Sequence, residues 1–294
     1  MAEQKIQLRK LRDFGENFND TFLFLRQNLK PLLKSFFAIS SISMVGLAIF
    51  YGINQSRSFS MIGSIFKGRS TTANPYSNIL TIEYLMLLIF LLLTFITMEV
   101  VLGAYIKYYL ENDGRKPGIE EIWTIFKKYF FKIFFYSIPI ALITMVGFIF
   151  CLAPGVYLWV LFTPFPLIVM IEDRDFVETY ERCLQLIREN FWISFAIYLV
   201  AYLIFYVSHG IIDGISGIIL GVTAYFSTED VSTTLGIATS FVSIFSYCFY
   251  IVYFISVALQ YFSLVEKHDG TGLMSRIDNI GKHQTDYNNS EEQY

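Results

Sequence analysis

The sequence has 294 residues, of which 54% are hydrophobic and only 16% are charged, and its formal net charge is −3. Its mean hydropathy is +0.50. A soluble protein of this length needs more charged surface, so the composition excludes an ordinary soluble domain and indicates an integral membrane protein. The 30 Phe and 20 Tyr residues favour lipid contact and interfacial belts over stacking on nucleic acid.

Residues 1–34 form a charged and amphipathic segment that we expect in the cytoplasm. Similar patterns recur just before the third and fifth apolar spans, and such helices lie in the headgroup plane with basic residues toward anionic lipid. The sequence therefore predicts three cytoplasmic interfacial helices. Their apolar positions are Phe14, Phe18, Phe22, Leu25, Leu29 and Leu32 in the first, Ile119, Ile122, Trp123, Phe126 and Phe130 in the second, and Phe176, Tyr180, Cys183, Leu184, Ile187 and Phe191 in the third.

Six apolar stretches in residues 35–265 predict an all-α, polytopic membrane domain with six transmembrane helices. Residues 266–294 follow as a polar cytoplasmic tail. The predicted spans are Ser35–Ile53, Ile79–Ile106, Tyr129–Leu152, Val156–Ile171, Phe191–Gly210 and Thr239–Val265.

The third and fourth spans share one apolar run, 129–171, which is too long for a single crossing. Pro154 and Gly155 predict a tight turn near the outer face that makes the run a hairpin. Pro164 and Pro166 lie inside the fourth span, where each removes an intrahelical hydrogen bond. The fourth helix should therefore be either a bent helix packed in the bundle or a broken helix that lines a binding cavity.

The basic residues set the orientation of the chain. The N-terminal segment, the connections between spans two and three and between spans four and five, and the tail together hold 19 of the 22 Lys and Arg residues. The other side holds Arg57, Lys67 and Arg69. Because cytoplasmic segments carry such an excess, both termini are expected in the cytoplasm.

Glu99 lies inside the second span, eight residues or about 12 Å along a helix from Lys107. A carboxylate at this depth is costly unless it is paired, hydrogen-bonded or protonated, so Glu99 should face the bundle. We expect it to fix helix packing as a protonated or Tyr- or Thr-bonded acid. The alternative is a proton- or cation-linked site, or a contact to a lipid headgroup.

His209 and Asp213 are four residues apart near the predicted outer end of the fifth span, so they can pair on one helix face. We interpret them as an interfacial pair, because two residues do not make a metal site. Four glycines between positions 210 and 221 have the spacing of closely packed membrane helices, which favours close packing, with a bend in the helix as the alternative. These glycines are Gly210, Gly214, Gly217 and Gly221.

Standard catalytic signatures are absent from the sequence. It contains no phosphate-binding glycine loop, no His-Glu-x-x-His zinc pair and no Gly-x-Ser-x-Gly nucleophile turn. The three scattered cysteines suggest neither a disulfide framework nor a metal cluster. We therefore expect no enzymatic activity, no catalytic residues, and neither a cofactor nor a metal.

Four short motifs resemble a group of bacterial six-helix membrane proteins over about residues 14–265. The motifs are Lys30-Pro-Leu-Leu, Ala153-Pro-Gly-Val-Tyr-Leu, the Pro-rich fourth helix ending in Ile171-Glu-Asp, and Arg182-Cys-Leu-Gln-Leu-Ile-Arg-Glu-Asn-Phe-Trp192. The group includes the membrane domain attached to some glycerophosphodiester phosphodiesterases and the YciC-like proteins. The resemblance implies a bacterial inner-membrane protein without a phosphodiesterase domain, and it transfers no catalytic residues.

From these features we expect a non-enzymatic inner-membrane scaffold or accessory protein whose basic cytoplasmic helices engage anionic lipid. Its further partner would be another membrane protein or a second copy of the chain, and nucleic acid is not expected. The alternative is a transporter or lipid-handling protein that uses the Pro-broken fourth helix and Glu99.

Cysteine labelling tests the predicted topology. In a background without the native cysteines, a membrane-impermeant maleimide added outside should label cysteines at positions 65 and 228 and miss those at 115 and 285. Lysed cells serve as the control, since all four positions should then react. Labelling of position 115 in intact cells would reverse the orientation.

Overall fold

The computed structural model describes residues 6–66, 81–226 and 232–270, and in these ranges the chain contains no β-strand. A 3₁₀ turn, Tyr247–Phe249, separates the last two helices. The helices are α1 Phe14–Phe66, α2 Ile82–Glu111, α3 Ile119–Phe150, α4 Leu152–Phe162, α5 Phe165–Glu172, α6 Phe176–Arg188, α7 Phe191–Phe226, α8 Ser232–Ser246 and α9 Tyr250–Asp269.

Six helical stretches are long and apolar enough to cross a membrane, which confirms the predicted all-α, multi-pass membrane fold. Each overlaps one predicted span. Residues 1–5, 79–80 and 271–294 of the predicted segments lie outside the described ranges. The six stretches are Phe14–Arg57, Ile82–Glu111, Ile119–Phe150, Leu152–Glu172, Phe191–Ile219 and Thr233–Asp269.

Residues far apart in sequence pack into two compact units. Unit 1 consists of Met1–Gln27, Ile143–Tyr198 and Ile255–Tyr294, and unit 2 consists of Asn28–Leu142 and Leu199–Phe254.

The predicted hairpin between the third and fourth spans is present, but its turn lies at Cys151, in unit 1, and not at Pro154-Gly155. Cys151 has an extended backbone, with φ −167° and ψ 149°, between the end of α3 and the start of α4. Pro154 lies in the first turn of α4, where a missing N–H costs no intrahelical hydrogen bond. Gly155 lies within α4 and allows close approach to α3, because a Cβ there would be 2.5 Å from the Phe148 ring.

The break predicted in the fourth span is also present. Thr163 and Pro164 separate α4 from α5, and Pro166 follows in the first turn of α5. Neither proline has an N–H, so the helix cannot continue with its normal hydrogen bonds. The side chains on both sides of the break are buried in the protein, among them Phe162 and Phe165. This burial favours the bent, packed helix over a broken helix that lines a cavity.

The structure does not confirm the three predicted interfacial helices. The first two predicted segments continue directly into spans as parts of α1 and α3, and the third forms its own helix, α6. The apolar face of α6 packs on α4 and α5, where Cys183, Leu186 and Ile187 are buried. Part of that face therefore contacts protein, whereas Tyr180 at its start is exposed.

The buried face at the start of α1 is partly polar. Asn17 and Thr21 are fully buried, whereas Phe14 and Phe22 are exposed. The Thr21 hydroxyl lies 3.2 Å from the Ser256 hydroxyl of α9, and the Asn17 side-chain amide donates to the Ser256 carbonyl at 3.4 Å. Hydrogen bonds of this kind hold membrane helices together, while apolar side chains face outward at no cost in lipid.

Three of the four predicted packing glycines of α7 do not have that role, and the surroundings of the fourth, Gly221, lie outside what the structure describes. A Cβ at Gly210, Gly214 or Gly217 would meet no heavy atom of the described structure within 4 Å. The expected close helix contact at these three positions is therefore wrong.

Gly155 and Gly210 make a matched pair for testing the hairpin contact. Gly155→Ala should destabilise the protein by about 1–3 kcal/mol, because the Cβ would also lie 2.8 Å from the Phe148 Cα and forces α3 to move. Gly210→Ala adds the same methyl group in open space and should be neutral or stabilising by up to about 1 kcal/mol. Unfolding midpoints in detergent measure both, and equal effects would refute the close contact.

Candidate functional site

Glu99 accepts a hydrogen bond inside unit 2. The hydroxyl of Tyr250, the first residue of α9, donates to Glu99 Oε1 at 3.0 Å. Tyr250 is buried and Glu99 is half-buried. The contact joins α2 to α9 and gives Glu99 the tyrosine partner that a role in helix packing requires.

His209 and Asp213 lie within pairing distance on α7, with His209 Nδ1 3.1 Å from Asp213 Oδ2. The Ser243 hydroxyl of α8 donates to the other carboxylate oxygen at 2.8 Å. Asp213 therefore connects α7 to α8 as well as orienting the imidazole. When Nδ1 carries the proton that Asp213 accepts, Nε2 is the ring nitrogen left to accept another.

A small cavity of about 20 Å³ adjoins this pair. Its polar lining comes from Tyr51, His209, Ser240, Ser243 and Tyr247, and the remaining lining is aliphatic. A buried water needs a volume of about 10–15 Å³ or more and two to four polar partners. The cavity meets both requirements for a single water molecule.

The 3₁₀ turn places two tyrosines on one side of the chain, because side chains three residues apart eclipse each other in this geometry. Both rings contact Phe95 of α2, with distances between ring centres of 5.9 Å for Tyr247 and 5.4 Å for Tyr250. Both also contact Phe205 of α7, at 6.5 and 5.6 Å between ring centres. Tyr247 also lies 5.2 Å from the His209 ring. The ionisable row, as we call it, consists of Asp213, His209, Tyr247, Tyr250 and Glu99.

A charged cluster occupies unit 1 where α5, α6 and α9 meet. Glu172 accepts hydrogen bonds from Arg174 Nε at 2.6 Å, Arg182 Nε at 3.2 Å and the Tyr261 hydroxyl at 2.9 Å. Arg182 also pairs with Asp269, and its side chain is only 7% exposed. Burial disfavours its charge, but the hydrogen bonds and charges of Asp269 and Glu172 outweigh burial and raise the pKa of Arg182. Arg182 therefore stays cationic and holds α6 in place.

A lysine–aromatic cluster occupies the end of α2 and the first turns of α3 in unit 2. The ammonium groups of Lys107 and Lys128 lie 5.6 and 4.7 Å from the centre of the Tyr129 ring. In two further pairs the lysine ammonium lies 5.9 Å (Lys127 to Trp123) and 6.0 Å (Lys132 to Tyr136) from the centre of the aromatic ring. These distances fall in the range of cation–π contacts.

The predicted site residues are divided between the two units. Glu99, His209 and Asp213 belong to unit 2, whereas Pro154, Gly155, Pro164 and Pro166 belong to unit 1. Among the described residues, no group of three or more His, Cys, Asp or Glu side chains could hold a metal ion.

Sequence reasoning missed the partners on the sixth span. The sequence does contain a signal for them. Four hydroxyl residues, spaced one, three and three positions apart, interrupt an otherwise apolar stretch, and two tyrosines three residues apart follow. Such spacing marks a polar helix face. The hydroxyl residues are Thr239, Ser240, Ser243 and Ser246.

Searches of protein-family models, curated proteins and solved structures give no match to this chain.

The Glu99–Tyr250 contact predicts a difference between two substitutions. Glu99→Gln keeps an oxygen that accepts the Tyr250 proton, so it should leave the free energy of unfolding nearly unchanged. Glu99→Leu removes the acceptor and leaves the buried hydroxyl unpaired, which should cost about 1–3 kcal/mol. Adding Tyr250→Phe to Glu99→Leu should restore part of that loss. Equal stability of the Gln and Leu variants in detergent unfolding would contradict the packing role.

Proposed function

We propose that this protein is a non-enzymatic scaffold or accessory protein of a bacterial cytoplasmic membrane, which engages anionic lipid through its basic helix ends. The observation that carries the proposal is the lysine–aromatic cluster of α2 and α3. Aromatic rings and lysines are the side chains that anchor membrane proteins at the headgroup level, where lysine stems cover apolar surface and the ammonium groups reach phosphate.

The surroundings of the cluster support this assignment. No acidic residue occurs from Ile122 to Ile171, so the sequence around the lysines of α3 has an excess of positive charge. In the most apolar 18-residue window of α3, only 11% of the residues are buried. A helix with an exposed apolar surface and lysines near one end suits the boundary between acyl chains and anionic headgroups.

The membrane and orientation in the proposal rest on the sequence. The excess of basic residues on one side favours cytoplasmic termini, and the resemblance to bacterial six-helix membrane proteins favours the inner membrane. A scaffold role adds a partner membrane protein or a second copy of the chain. Cross-linking in native membranes, followed by mass spectrometry, identifies that partner.

Bound lipid tests the proposal directly. The purified protein in nanodiscs of phosphatidylcholine with 20% or so phosphatidylglycerol should retain phosphatidylglycerol preferentially when it is released for native mass spectrometry. Replacing Lys127, Lys128 and Lys132 by Gln should reduce this preference at least about fivefold, since each basic residue near an anionic surface contributes about 1 kcal/mol.

A variant with Arg at the same three positions is the matched control. It keeps the positive charge and should retain the preference for phosphatidylglycerol, while its helical content and unfolding midpoint report that the fold is intact. A Gln variant that folds normally and binds as much phosphatidylglycerol as the natural chain would overturn the proposed lipid role.

A further inference from the structure

Two lysines from different helices meet at one buried tyrosine of unit 2. The ammonium groups of Lys107, on α2, and Lys128, on α3, lie 5.6 and 4.7 Å from the centre of the Tyr129 ring. Lys128 Nζ also donates a hydrogen bond to the Tyr129 hydroxyl at 3.0 Å. Because Tyr129 is buried, packing fixes its position, and the tyrosine in turn holds both ammonium groups near one ring.

Two ammonium groups at one ring repel each other. The Tyr129 hydroxyl is neutral, so its hydrogen bond leaves the charge of Lys128 in place. An anion that lies between the two ammonium groups replaces this repulsion with two attractions. A phosphate group suits the position, since its oxygens accept charge-assisted hydrogen bonds from both lysines at once.

Lys107 already contacts a carboxylate, but this pair is weak. Its ammonium lies 2.9 Å from Glu111 Oε1, four residues further along α2. A lysine that precedes its glutamate by four residues stabilises a helix less than the reverse order. Glu111 is also exposed and is the last residue of α2, where a negative charge opposes the helix dipole. An incoming phosphate can therefore displace Glu111 from Lys107.

The surface beside Lys128 favours a lipid as the source of the phosphate. Phe131 and Phe135 follow it by three and seven residues, so all three lie on the same face of α3. Both rings are exposed. A lipid whose phosphate reaches Lys128 can lay an acyl chain along these rings, which a free phosphate ion cannot do.

We propose that Lys107 and Lys128 bind the phosphate of one anionic lipid between α2 and α3. Tyr129 is the positioning residue, because it holds the ammonium of Lys128, and Glu111 competes with the lipid for Lys107. The site rests on the proposed lipid-binding function and deepens it, since it assigns one lipid molecule to a defined place within the lysine–aromatic cluster.

Retention of phosphatidylglycerol by single variants tests the site. The full chain is placed in the same mixed nanodiscs, and native mass spectrometry counts the phosphatidylglycerol molecules on each chain. Lys107→Gln should lower the population that retains the most tightly bound one at least about fivefold, whereas Lys107→Arg should retain it. Tyr129→Phe keeps the ring but loses the hydroxyl, and should lower that population at least about twofold. Glu111→Gln removes the competitor and should raise it about twofold.

Two variants with the same changes of charge are the matched controls. Arg115→Gln removes a positive charge between α2 and α3, and Glu120→Gln removes a negative charge from the first turn of α3. Both residues are exposed, and both variants alter only the general attraction to anionic lipid, so their effects should be much smaller. Unfolding midpoints report whether each variant is folded.

Folded Lys107→Gln and Glu111→Gln variants that behave like these controls would overturn the site. The proposed lipid role would then still depend on the triple variant at Lys127, Lys128 and Lys132, so the two failures are distinguishable. An excess of inorganic phosphate should not displace the retained lipid. Displacement would show that the site takes the free anion, and would overturn the assignment to lipid.

Discussion

Polar groups inside membrane-spanning helices must find their partners within the protein, and this constraint determines how the helices of this chain pack. Apolar side chains gain little free energy by leaving lipid for a protein interior, so they do not specify which helices pack together. Polar side chains do specify it, because each needs a hydrogen-bonding partner. In unit 1 the Thr21 hydroxyl meets Ser256, and in unit 2 Ser243 meets Asp213 and Tyr250 meets Glu99. Each contact joins two helices that are far apart along the chain.

The backbone obeys the same constraint in the fourth span. Pro164 and Pro166 interrupt the helix, so α4 ends and α5 begins there. Buried apolar side chains surround the break. The Thr163 hydroxyl donates to the Trp159 carbonyl at 2.7 Å, which provides that carbonyl with a second donor besides the Thr163 N–H. Membrane proteins tolerate irregular backbone only where protein or water surrounds it.

The two units satisfy their ionisable side chains in different ways. In unit 1, Glu172, Arg182 and Asp269 pair with opposite charges, and these pairs hold α6 in place. In unit 2, Glu99 is held by a hydroxyl, and Asp213 by a hydroxyl and an imidazole whose charge depends on its proton.

The sequence by itself determined the features that depend on neighbours along the chain. Apolar runs of sufficient length predicted the six spans, the prolines predicted the break at Pro164, and a four-residue spacing predicted that His209 lies next to Asp213. Tertiary structure alone decided the rest. Glu99 and Tyr250 are 151 residues apart, and no local pattern connects them. The sequence also does not predict the lack of contact at Gly210 or the partly polar buried face of α1. In lipid, an apolar pattern does not show which face of a helix turns toward the protein.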